Sequence, residues 1–247
     1  MANGVRLHRD LTRRSPLKEL SYRYVMTHSP DLRGIDVALL YQRDLFKLLS
    51  SRSISIPPLK QYRPTRDLLH VSGLLLTGDT LDVFVCHLPS RSGGAKESES
   101  YRLYAAHILR MEVDSIMSIR SLPQVIIMGD FNDYPTNQSI QKILEAEAPP
   151  VTTNNLASTT GSTNFSTVAP SSLKLYHLLA RKAKSKDLGS YKYRGEWGLL
   201  DHLIVSGTLL NQSNHFFTSE EKANVCLLPF LLKDDEKYGD KEPFRTY

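Results

Sequence analysis

Only two cysteines, Cys86 and Cys226, occur in 247 residues. Each sits in an apolar stretch (VFVCHL and NVCLLPF), which excludes a disulfide framework and predicts two buried thiols. No apolar run approaches the roughly 20 residues that a membrane helix needs, and the opening MANGVRLHRD has no apolar signal region. The chain therefore reads as soluble, with its compartment open between the cytoplasm and export by a leader outside this sequence. No internal repeat is visible. What is present is a core: 40% hydrophobic and 23% charged residues suit one folded domain over 1–247 and exclude a mostly disordered chain. The formal charge of +5, from 31 Lys and Arg against 26 Asp and Glu, is a mild excess that favours a phosphate-bearing partner and equally fits a solvated basic surface.

Along the chain, SYRYVMTHS (21–29) and IDVALLYQ (35–42) read as strands around the turn SPDLRG. LLHVSGLLLTGDTLDVFVCHLP predicts a hairpin, with strands at Val71 to Leu76 and Leu81 to Leu88 around Thr77-Gly78-Asp79-Thr80. Over 98–121 the period changes, placing Leu103, Ala106, Ile108, Leu109, Val113, Ile116 and Ile119 on one helical stripe. The strand QVIIMG (124–129) comes next, then a second helix from Asn137 to Ala146 behind Pro135. Residues 150–172, rich in Ser, Thr and Asn, predict a long surface loop. A short helix near Leu173–Ala183, a strand LLDHLIVS (199–206) and a last strand NVCLLPFLL (224–232) complete the pattern. Mixed hairpins and helices predict an α/β sandwich, sheets packed face to face with helices outside.

Three strands carry polar residues that a purely structural strand does not need. After VIIMG come Asp130 and Asn132, with Phe131 between them packing inward and Asp133 left to the turn. A carboxylate and an amide two apart can position a water and bind a phosphate oxygen; the same segment also reads as an Asx turn into the next helix. His87 closes LDVFVCH ahead of a Ser-Arg-Ser-Gly-Gly loop, either as part of a phosphate clamp or as a structural strand-end histidine. Asp201, embedded in WGLLDHLIVS, needs a partner or orients a base, while His202 faces the other way. The basic tract Arg181, Lys182, Lys184, Lys186 and the acidic dipeptide Asp234-Asp235 read as solvated surface.

HLPSRSGG, IIMGDFNDYP and YRGEWGLLDHLIVS, in this order and over nearly the whole chain, resemble the endonuclease/exonuclease/phosphatase superfamily. RGIDVALLY and LLKDDEKYGDKEPFRTY are similar to its bacterial branch. The resemblance implies a four-layer α-β-β-α sandwich of two packed, mostly antiparallel sheets, and hydrolysis of phosphate esters (nuclease, phosphodiesterase or phosphatase) at one rim. It implies that Asp130 activates water and that Asn132 binds the scissile phosphate. His87 then contacts that phosphate or acts as acid, and Asp201 orients a second histidine. It also implies Mg²⁺ or Mn²⁺ as Lewis acid, and Arg33, Arg91 and Trp197 lining the substrate groove.

The resemblance departs at both ends. A metal-binding Asn and Glu on early strands, and a closing Ser-Asp-His, have no counterpart in this sequence, so the metal ligands are unassigned. The expectation is a two-end truncation with N-terminal and C-terminal strands missing, weak or lost metal binding, and self-association through unpaired sheet edges. General acid or base help worth roughly 10²–10⁴-fold would go with the missing histidine. The alternative is an inactive remnant that binds nucleic acid or a phosphorylated partner. Substrate choice, among DNA, RNA, lipid head groups, inositol phosphates and nucleotides, lies in loops with no readable code.

Overall fold

In the computed structural model, which describes residues 19–60, 62–151, 170–185 and 187–244, strand β1 (Tyr22–Met26) pairs antiparallel with β2 (Ala38–Gln42) as a separate ribbon. Strands β3 (Phe46–Ile54), β4 (Leu68–Leu75) and β5 (Thr80–His87) form an antiparallel meander. The predicted turn between the last two is tight: Asp79 O accepts the Leu75 N–H at 2.9 Å, and Gly78 takes the positive φ of 88°. Helix α1 (Glu99–Ile119) then crosses over to β6 (Gln124–Asp130), which lies parallel to β5. A parallel pair needs such a crossover, and the helical stripe of the sequence supplies it.

After β7 (Leu175–His177), a hairpin joins β8 (Tyr191–Tyr193) to β9 (Glu196–Gly198), turning on Arg194 and Gly195 at positive φ. Strand β10 (Asp201–Ser206) returns to the centre, and β11 (Leu232–Asp234) pairs with β12 (Lys241–Pro243). The central sheet is thus six-stranded and mixed, in the order β3-β4-β5-β6-β10-β7.

Alternation puts Leu68, Phe84, Cys86, Val125, Ile127 and Ile204 on one face, where Ala105, Ala106, Leu109 and Val113 of α1 cover them. The other face carries Leu69, Val71, Leu81, Val83 and Val205, packed with Val25, Val37, Leu39 and Tyr41 of the β1–β2 ribbon. Helix, sheet and ribbon follow one another as layers, the mixed α/β sandwich that the pattern predicted.

Several expectations are corrected. The segment predicted as a helix to Ala146 holds only a π-helical turn, Ser139–Ile143, which ends as Glu145 adopts a positive φ of 52°. The helix predicted near Leu173–Ala183 begins instead as β7, because its residues pair with Ile204, Val205 and Ser206 of β10. The predicted strand 224–232 is largely irregular, with a 3₁₀ turn at Pro229–Leu231. Ile119 of the predicted stripe is exposed; the buried face is turned toward Tyr101, Arg102 and Ala105. Cys86 is buried as expected, but Cys226 is exposed. Most of the predicted loop 150–172 lies outside the described residues. Strand β3 was not foreseen, since as an edge strand it shows solvent Lys47, Ser50, Ser51, Arg52 and Ser53 and offers no alternation to read.

Candidate active site

The parallel and antiparallel registers meet at one rim. His87 of β5 is in register with Asp130 of β6, and Asp130 is in register with Asp201 of β10. Three ionisable residues far apart in sequence therefore stand in one row across three adjacent strands. Gly129 makes the row possible: its φ is +130°, and a Cβ there would sit 2.0 Å from the Cys86 carbonyl oxygen, so only glycine allows β5 and β6 to approach this closely.

Beyond Asp130 the strand stops. Asn132 has a positive φ of 52°, and its backbone N–H donates to Asp130 Oδ1 at 2.8 Å, an Asx turn. Both readings of this segment hold at once, because the turn is what presents the Asn132 side chain. Its amide Nδ2 donates to Leu88 O at 3.0 Å, and that same carbonyl accepts from the buried Arg66 at 2.5 Å. Phe131 is fully buried on the helix side, as the alternation required.

Asp133 belongs to more than the turn. It is 1% exposed and accepts from Arg102 Nε at 2.7 Å and from the Ser139 hydroxyl at 2.7 Å. The Arg102 guanidinium, itself 1% exposed, also donates to the Ser98 hydroxyl and the Ala95 carbonyl, each at 2.6 Å. His202 lies on the opposite face of β10 from Asp201, as predicted, and is buried there. Its Nε2 lies 2.8 Å from the Asp133 carbonyl, its Nδ1 meets His177 Nε2, and His177 Nδ1 accepts the Leu179 N–H at 3.1 Å. One tautomer set satisfies this chain: each imidazole Nε2–H donates and each Nδ1 accepts. Burial, with mutual repulsion at His177, drives both pKa values down, to about 3 for His177 and about 4 for His202, so both rings are neutral.

Burial raises the Asp130 pKa to about 6; the Asp201 charge adds to the rise, while the Asn132 N–H and the Arg66 charge oppose it. His87 moves the other way, to about 4, through burial first and then the positive charges of Arg66 and Arg33. His87 Nε2 lies 3.7 Å from Asp130 Oδ2, too far for a hydrogen bond, and at neutral pH the contact is a neutral imidazole beside a carboxylate rather than an ion pair. A carboxylate that titrates near neutrality suits a general base.

Asp201 is exposed at the start of β10, so the expected desolvation problem does not arise; the apolar residues before it are packed and it is not. Arg33 is mostly exposed and pairs with Asp31 at 3.4 Å. Arg91 lies over the Tyr134 ring at 4.8 Å. Trp197 stands apart from these, lining an apolar cavity of about 360 Å³ that Asp201 also borders. Two residues of the basic tract are pinned rather than solvated, Arg181 pairing with Glu220 and Lys182 donating to the Glu220 and Ala223 carbonyls, while Lys184 is exposed as expected and Lys186 lies outside the described residues. Asp235 of the acidic dipeptide is buried against Lys192 at 3.1 Å.

Sequence reasoning missed Arg66, whose only trace was an arginine just ahead of an apolar strand, and Arg102, hidden on a helical face that apolar periodicity does not mark. Among the described residues no three His, Cys, Asp or Glu stand together as a metal group. Asp130 and Asp201, in register across β6 and β10, are the described carboxylates that could hold a small hard cation such as Mg²⁺, which is commonly bound by one or two carboxylates with water and substrate phosphate completing its octahedron.

The fold is a mixed α/β sandwich with a His-Asp-Asp row and an adjoining amide at one rim of its central sheet. The chain belongs to the endonuclease/exonuclease/phosphatase family, whose model matches residues 3–247; members hydrolyse phosphate esters and generally depend on a divalent metal. Among solved structures it is similar to the human nocturnin catalytic domain (21% identity, TM-score 0.51, 77% of this chain and 62% of that one). It is similar also to ANGEL2, a 2′,3′-cyclic phosphatase (16% identity, TM-score 0.56, 81% and 66%). A third is a Bacteroides thetaiotaomicron mannosyl-6-phosphatase (15% identity, TM-score 0.51, 82% and 67%). The chain thus spans about two thirds of these structures, and the likeness is one of fold. No curated protein sequence matches it. No helix among the described residues is long and apolar enough to cross a membrane.

Proposed function

We propose that the His87, Asp130, Asn132 and Asp201 rim binds and hydrolyses a phosphate ester. The observation that carries the reading is the shared register, which stands His87, Asp130 and Asp201 side by side. In this reading the Asp130 carboxylate accepts a proton from water as the water oxygen bonds to phosphorus. The ester P–O bond breaks, and solvent protonates the departing oxygen. Asp201 keeps Asp130 basic enough for this task. The neutral His87 imidazole and the second Asn132 amide hydrogen donate to non-bridging phosphate oxygens. Arg66, behind Leu88, offsets the carboxylate charge that an anionic substrate meets.

The test is nitrophenol release from bis-(p-nitrophenyl) phosphate with Mg²⁺ or Mn²⁺ in the buffer. Asp130→Asn is expected to lower the rate roughly 10²–10⁴-fold, the range of a lost general base. A rate that survives both Asp130→Asn and His87→Ala would remove this rim from the chemistry. Phosphate binding without turnover would make the chain a binding module instead.

A further inference from the structure

A cavity of about 460 Å³ opens beside this rim, behind the Leu88–Pro89 backbone. Its lining carries three arginines, Arg33, Arg63 and Arg66, against one carboxylate, Asp31, for a net charge of +2. Arg66 is 2% exposed; its two terminal nitrogens are engaged by Asp31 and by Leu88 O, but its Nε–H has no partner. The Thr65 hydroxyl and the Tyr101 hydroxyl, on residues each 3% exposed, are unpartnered as well. Buried donors left unpaired cost about 1–3 kcal/mol each, and native proteins rarely keep three in one place without a ligand or water to take them.

A hydrophobic or cationic occupant would leave these donors unpaired or meet like charge. A carboxylate offers only two oxygens to a lining that carries three unpartnered donors and the exposed Arg33 and Arg63. A phosphate accepts from many directions and carries the charge that the lining lacks. We propose that this cavity is a second phosphate subsite, separate from the catalytic rim, so that the preferred ligand carries two phosphate groups. The Leu88 carbonyl, shared by Arg66 of the cavity and Asn132 of the rim, ties the two subsites into one rigid unit. The subsite stands on its own donors; that its ligand is also the substrate rests on the hydrolytic reading above.

The experiment follows the Arg66 Nε–H resonance in ¹⁵N-arginine-labelled protein as inorganic phosphate, and separately tripolyphosphate, is added. Three proteins are compared: the unaltered chain, Asp130→Asn, and the isosteric pair Thr65→Val with Tyr101→Phe, which spares the structural Arg66–Asp31 contact. A saturable shift is expected in the first two, with tripolyphosphate binding about tenfold or more tighter than phosphate because it can engage both subsites. In the Thr65→Val, Tyr101→Phe protein the affinity for phosphate at Arg66 is expected to fall about tenfold or more. An Arg66 resonance that ignores tens of millimolar phosphate, or affinities that the hydroxyl deletions leave alone, overturns the subsite. Hydrolysis that depends on Asp130 while Arg66 stays silent overturns the subsite alone; an Arg66 response in a protein whose turnover ignores Asp130→Asn sinks the hydrolytic reading and leaves the subsite standing.

Discussion

Replacing Asp133 by alanine removes the one carboxylate that faces a fully buried guanidinium. Arg102 and Asp133 are each 1% exposed and meet at 2.7 Å, with Ser98, Ala95 O and Ser139 filling the remaining positions. Breaking such a pair from one side costs about 3–5 kcal/mol, because the surviving charge stays buried without compensation. For a chain of this size, at about 2–4 °C per kcal/mol, the midpoint of thermal unfolding is expected to fall by roughly 6–20 °C. Arg102→Met alone should cost a similar amount, through the stranded Asp133. Arg102→Met with Asp133→Leu should cost less than either single change, since the charges leave together and only neutral hydroxyl and carbonyl groups lose partners, about 1 kcal/mol apiece. Urea unfolding at constant m-value reads all three. Single variants within about 1 kcal/mol of the unaltered protein, or a double variant as unstable as the sum of the singles, would refute the assignment of this pair as the anchor of the Asp130–Asp133 turn.

Other perturbations follow from the same geometry. Gly129→Ala is expected to cost on the order of 3 kcal/mol or more, from a strained positive φ and a Cβ overlapping the Cys86 carbonyl; a loss under about 1 kcal/mol by urea unfolding would contradict the close approach. The depressed pKa values of His177 and His202 mean that the unfolded chain binds protons more readily than the folded one. Their contribution is complete above the unfolded value near 6.5 and is lost as pH falls toward their folded values, at up to about 1.4 kcal/mol per pH unit for each ring. The urea midpoint should therefore drop between about pH 6.5 and 4, and His177→Gln should flatten that slope; a stability that is flat or rising on acidification would exclude the neutral buried pair. Asp130 acts in the opposite sense, because its raised pKa makes its ionised form a burden on the fold above about pH 6. Asp130→Asn should accordingly raise the thermal midpoint while it lowers turnover, and a lower midpoint would count against the desolvated carboxylate.

The legible parts of the fold were those where one period dominates. The hairpin of β4 and β5, helix α1, and strands β6 and β10 all followed from alternation or from a helical stripe, with ends shifted by only a few residues. What failed was decided by tertiary pairing. Leu175–His177 is a strand because β10 lies beside it, and Phe46–Ile54 is a strand because β4 pairs with it, although its own solvent-facing side chains look like a loop. At the site, the polar interruptions at His87, Asp130, Asn132 and Asp201 marked the rim, since polar residues closing apolar strands break a local rule. That they share one row was invisible, because register is a property of the sheet and not of any segment. Arg66, Arg102 and the buried role of Asp133 were hidden for a different reason: charged residues are read as surface by default, and only their partners, tens of positions away, make burial tolerable.

The central claim is that Asp130, tuned by Asp201 across the strand pair, is the base of a phosphate-ester hydrolase. It is tested most directly by the pH dependence of kcat/KM for bis-(p-nitrophenyl) phosphate in the unaltered protein and in Asp201→Asn. The expected result is a rate that rises with pH through an acidic limb near about 6, and that limb moves to lower pH once the Asp201 charge, which raises the Asp130 pKa, is gone. A profile that is flat across this range, or a limb that stays in place in Asp201→Asn, would contradict it.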